Sequence, residues 1–178
     1  MKLSRLVFMA AGLFALGVAI RAVPAANASH QWGCYKWNSP NLTYNNTATS
    51  PYNSYYTEET ATASDSWSNY TVVNFTAGTS GNNVKEMSGS YGSNGWLGLT
   101  QIWTSGCTIT RAEAKVNRTY LDRSPYNTAA WRKKVACHEV GHSTGLNHNQ
   151  VSTSCLLTGG QSQDHPNAHD AEQLDIMY

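Results

Sequence analysis

The run H-E-V-G-H-S-T-G-L-N-H, from His138 to His148, constrains this chain more than any other stretch of its 178 residues. On a helix, His138 and His142 stand one above the other, about 6 Å apart along the axis. Two imidazoles so placed can hold one metal ion from one side. Glu139 projects to the flank of that pair, where it reaches a metal-bound water without ligating the metal itself. Gly145 has no Cβ and so admits the left-handed turn that commonly ends a helix. That turn lets His148 fold back and supply a third nitrogen. Three protein ligands and a water make a catalytic zinc site, whereas structural sites close all four positions. A His pair at helical spacing is by itself a weak signal, because such pairs are usually solvated. The placement of Gly145 and His148 is what gives the run its weight.

The first 28 residues read as a leader rather than as fold. Lys2 and Arg5 make a basic start, Leu6 to Ile20 form an apolar stretch, and Ala26-Asn27-Ala28 supplies a small-x-small cleavage site. The apolar stretch is shorter than the roughly 20 residues a membrane span needs, and Arg21 closes it with a charge. The expected organisation is therefore a signal peptide over 1–28 and one domain over 29–178, long enough to bury a proper core. Charged residues make up 13% of the chain, against about a quarter in an ordinary soluble protein. The net charge of +1 gives no electrostatic reason to expect nucleic acid or an anionic membrane as partner. The short cluster Arg132-Lys133-Lys134 is expected on the solvated face of the motif helix. Cys34, Cys107, Cys137 and Cys155, an even number in an exported chain, read as two disulfides with three possible pairings.

Periodicity and turn residues suggest a strand over Leu42–Asn45, a first helix over Tyr52–Trp67, and a β-branched strand over Thr71–Thr76. A turn follows over Gly78–Asn83, then a strand over Val84–Ser88 and a glycine-rich loop over Gly89–Gly95. Two further strands are expected over Trp96–Trp103 and Ile109–Asn117. The motif helix runs from Ala129 to Thr144, with Asn127 or Thr128 as its cap. On it, Trp131, Val135, His138 and His142 share one face, so the ligands continue an apolar stripe that packs under the sheet.

The motif resembles that of the metzincin clan of zinc peptidases, and of its matrixin-like catalytic domains in particular. The resemblance extends to Tyr91–Trp103, Ala114–Tyr120, Tyr126–Trp131 and the ending His169–Tyr178, and so covers most of the chain after the leader. It implies an α+β, zincin-like fold: a twisted mixed sheet with an edge strand over the cleft, an active-site helix, and an irregular C-terminal part ending in a helix. It implies one catalytic Zn2+ held by His138, His142 and His148, Glu139 as general base, and a secreted monomer acting on polypeptides. In such a fold Cys137 and Cys155 come close, which would pair them and leave Cys34 with Cys107. The rival, a Cys34 thiolate blocking the zinc, lacks a pro-segment before it. The edge strand, Leu97–Ile102, would receive an extended peptide by main-chain hydrogen bonds, and the loop Leu157–Pro166 would line the specificity pocket.

One departure stands out. Metzincins place a methionine in a turn beneath the zinc, and the matrixin spacing from His148 lands on Leu156. Met177 is the rival, although it falls inside the expected C-terminal helix. Leucine for methionine nearly conserves volume, so catalysis should survive it. Thr158 stands where a fifth, tyrosine ligand would be, so none is expected. His165 and His169, with Asp164 and Asp170 beside them, read either as polar surface and helix capping or as a second ion site. No acidic loop has a recognisable calcium spacing. The alternative to an enzyme is a non-catalytic secreted binding module that keeps zinc for structure. A zinc hydrolase acting on something other than peptides also fits the motif.

Overall fold

The computed structural model describes residues 30–56, 66–78, 83–151, 153–159 and 163–178. The expected leader lies outside these residues. The architecture is α+β, with five strands in one mixed sheet: β1 (Asn41–Asn46), β2 (Asn74–Ala77), β3 (Val84–Gly89), β4 (Gly98–Ser105) and β5 (Thr108–Asn117). Their spatial order is β2-β1-β3-β5-β4. Four run parallel; β4 alone is antiparallel, paired to β5 from Gly98↔Val116 to Ser105↔Thr108. Gly106, at φ +59°, turns the chain between β4 and β5. The edge strand expected over the cleft is thus β4.

Four helices accompany the sheet: α1 (Trp67–Tyr70), α2 (Arg118–Leu121), α3 (Ala129–Ser143) and α4 (Ala168–Met177). Helix α3 carries the motif and begins where Thr128 accepts a hydrogen bond from the Trp131 amide. It lies against β4 and β5, and the inward residues of β5 include Ala112 and Ala114, both fully buried. Such small side chains let a helix approach a sheet closely. Helix α4 starts with a reciprocal capping box between Asn167 and Asp170.

Three local expectations need correction. Of the helix expected over Tyr52–Trp67, the described residues show a 3-10 turn at Tyr52–Ser54 and, at the other end, helix α1 beginning at Trp67 where the expected helix was to end. Residues 57–65 between them lie outside the described residues. Trp67 starts a helix rather than ending one because Ser66 caps it, accepting from the Asn69 amide. The strand expected from Thr71 begins only at Asn74, since Thr71 donates its hydroxyl back to the Trp67 carbonyl and closes α1. The turn expected over Gly78–Asn83 falls largely outside the described residues. The third correction concerns the basic cluster. Lys134 is not on a solvated face: it is buried, and its ammonium donates to the carbonyls of Leu157 and Gly159.

Both disulfides form with the expected pairing, Cys34–Cys107 and Cys137–Cys155. The first ties the N-terminal segment to the β4–β5 turn. The second ties α3 to the segment beneath it. There Leu156 is fully buried, so close to Gly141 that a Cβ on that glycine would meet its Cδ2 at 2.8 Å. Met177 is buried as well, but lies against Gly145, past the end of α3.

Candidate metal centre

The helix sets the first two imidazoles, and backbone carbonyls set their tautomers. His138 Nδ1 lies 2.8 Å from the Cys155 carbonyl oxygen, and His142 Nδ1 lies 2.9 Å from that of Leu146. A carbonyl oxygen only accepts, so each Nδ1 carries the proton and each Nε2 presents a lone pair. Those two Nε2 atoms are 3.1 Å apart. Facing lone pairs repel one another; a cation shared between them turns the repulsion into attraction. His148 completes the group, and one ring nitrogen from each of the three histidines lies within 4.8 Å of the others. The three residues can together hold a metal ion, and an all-imidazole set suits zinc, copper, iron or nickel.

The loop that delivers His148 is held on several sides. Gly145 takes φ +95°, and any Cβ there would meet the Tyr35 carbonyl oxygen at 2.4 Å. The N-terminal segment then pairs with the loop: Trp32 donates its amide to the Gly145 carbonyl, and the Asn147 amide donates to that of His30 at 2.6 Å. On the other side, Asn149 donates to Asp170 Oδ1 at 2.6 Å. Asp170 is fully buried and also accepts from Ser154 and the Asn167 amide, while His30 Nε2 lies 3.0 Å from it. The exposed third histidine therefore stands on a buried polar network.

Burial makes the site electrically distinctive. Burial, with the neighbouring imidazoles second, holds His138 down to about 3. Burial likewise holds His142 down to about 4, and His148 is lowered by burial and by Lys134. All three are neutral at neutral pH, the form that ligates metal. Glu139 is pushed up to about 8 by burial, against the opposing pull of its hydrogen bond with Thr100. A cation on the neighbouring imidazoles would favour its ionised form and bring that value down.

Glu139 sits where two cavities meet, of about 300 and 320 Å³, which share Gly98, His138, Glu139 and His148 as walls. One extends between Tyr126, Trp131, Lys134 and the segment Leu157–Gly159. The other extends under Trp32, Leu99 and Asn147. Gly98 and Thr100 were not expected beside Glu139, and Lys134 was expected on the solvated face and not in the cavity wall. Lys134 was recoverable, since it stands one helical turn before His138 and so shares its face. Of the residues suggested for a second ion, Asp164 contacts His165 and Lys133, whereas His169 stacks on His30 and Asp170 caps α4. They form two separate groups. Among the described residues, His138, His142 and His148 are the one set arranged to hold a metal.

No family model matches this chain. No curated protein matches it either. Among solved structures it is similar to one of myroilysin, at a TM-score of 0.45 and 13% identity over 66% of this chain. The match spans 54% of the myroilysin chain, about half its length. A likeness at that level leaves function to be argued from the residues themselves.

Proposed function

We propose that this chain is a secreted zinc-dependent endopeptidase of the metzincin kind. The observation that carries the reading is the convergence of two unprotonated Nε2 atoms with His148, beside a buried carboxylate that faces both halves of an open cleft. His138, His142 and His148 would hold the ion, with the Cys155 and Leu146 carbonyls keeping two of the rings turned toward it. Zn2+ bound there would polarise a scissile carbonyl and lower the pKa of a water toward about 7. Glu139 would take the proton of the attacking water and pass it to the leaving amine. An extended peptide would pair with the outer edge of β4, placing one of its side chains in the cavity between Trp131 and Leu157.

Among the described residues the metal group has three members and no fourth, which favours this reading over a binding module with structural zinc. Two disulfides suit an oxidising compartment, and no helix among the described residues is long and apolar enough to cross a membrane. The leader over 1–28 and the matrixin-like affinity of the domain over 29–178 belong to the same proposal. Zinc analysis of the purified protein, with mass spectrometry of a digested peptide library, tests it. One zinc per chain and internal peptide cleavage that stops on chelation and returns with zinc are expected. A zinc-loaded protein that cleaves no peptide would overturn it.

A further inference from the structure

Glu139 is held from the strand above it as well as by its own helix. Thr100 of β4 is buried, and its hydroxyl lies 2.8 Å from Glu139 Oε2 and 2.6 Å from the Glu139 carbonyl oxygen. Two residues earlier on the same face of the strand, Gly98 leaves the space the carboxylate fills: a Cβ there would come within 2.3 Å of Glu139 Oε1. Gly98 and Thr100 thus form a notch, one wall open because a side chain is missing and the other able to hydrogen-bond. The unbonded alternative is poor, because a buried carboxylate without a partner loses the hydration that stabilises its charge.

We infer that Thr100 is a positioning residue for Glu139, its hydroxyl fixing the carboxyl group toward the three histidines in the notch that Gly98 leaves open. The inference rests on the reading of Glu139 as general base. A general base must sit within hydrogen-bond reach of the proton it removes, and a long glutamate side chain has several rotamers that miss. One hydroxyl that contacts both the carboxyl group and the backbone of the same residue restricts that choice. The hydroxyl has one proton to give: it accepts from a protonated Glu139 while donating to the Glu139 carbonyl, and it can turn to donate to Oε2 when Glu139 is ionised. Because β4 is the strand a peptide would join, the notch couples the base to the strand that would align the substrate.

The test measures kcat and KM separately, with zinc content, for Thr100→Val, Thr100→Ser, Gly98→Ala and Glu139→Gln on a fluorogenic peptide. Thr100→Val keeps the size and removes the hydroxyl. It should retain zinc and KM while kcat falls about 10- to 100-fold, as for other partners one shell away from a metal site. Thr100→Ser should restore most of that kcat, and Gly98→Ala should lower kcat by displacing the carboxylate. In a Glu139→Gln background, Thr100→Val should cost little more, since residues acting through one group are not additive. If Thr100→Val does not fold, Thr100→Ala against Thr100→Ser carries the same comparison. A Thr100→Val enzyme with wild-type kcat, or one changed in KM alone, while Glu139→Gln is inactive, would overturn this inference and leave the general base intact. An active Glu139→Gln would instead overturn the reading beneath it.

Discussion

At Gly141 the helix lies too close to what is under it to leave room for a single methyl group. A Cβ there would meet Trp67 Cζ2 at 2.5 Å and Leu156 Cδ2 at 2.8 Å. Both neighbours are fully buried, and neither contact is the free end of a surface chain. Gly141→Ala should therefore destabilise the fold by about 1–3 kcal/mol, the usual cost of overpacking. Urea denaturation checks it, and an unchanged midpoint would show that the helix moves away at no cost. The motif made the helix, its cap, its closing glycine and the three histidines legible, because each follows from spacing along one element. Thr100 and Gly98 were not legible as partners of Glu139. Nothing in L-G-L-T says that a helix 39 residues further on will press its carboxylate into that strand.

Among the elements, the link between α3 and the segment beneath it matters most, and the Cys137–Cys155 disulfide is its covalent part. Cys155 also supplies the carbonyl that orients His138. Removing the bridge with Cys137→Ala and Cys155→Ala together should cost about 2–4 kcal/mol of stability. Freed from the helix, that carbonyl should hold His138 less firmly, so zinc should be lost at a lower chelator concentration. Chelator titration of the double variant checks this; unaltered retention would mean that Leu156 packing alone fixes the turn. Strands β1, β3, β4 and β5 and helix α3 were legible within a residue or two, whereas β2, the strand with the clearest alternation, starts at Asn74 instead of Thr71. The helix end expected at Trp67 was not legible either, since Trp67 opens α1 instead of closing a helix. The two rings have separate tasks: Tyr52 donates to Asp122 between two arginines, and Trp67 donates to the Cys137 carbonyl.

Seen whole, the molecule joins both ends of its described fold at one buried carboxylate. Asp170 of α4 meets His30 near the start, and the Asn147–Asn149 loop is pinned between them. Burial alone would raise its pKa, but hydrogen bonds from His30, the Asn167 amide, Ser154 and Asn149 outweigh burial and hold it below the ordinary 3.8. A carboxyl lowered on folding stabilises the fold above its unfolded pKa, and that contribution is lost as pH falls through the lower folded value. Asp170→Asn should thus be less stable than wild type at pH 7, with the gap narrowing below pH about 4. Denaturant midpoints between pH 7 and 3 check it, and a constant gap would mean that shape, not charge, is what the network needs.

If the three histidines hold a metal for chemistry done by Glu139, Glu139→Gln should separate metal binding from catalysis. Glutamine keeps the size of the side chain and its contacts in the notch while removing the ability to accept a proton. Zinc content and kcat are measured together on the same preparation. One zinc per chain is expected, as in wild type, with kcat lowered by about 100-fold or more. Equal zinc content with kcat within a few-fold of wild type would contradict that role for Glu139.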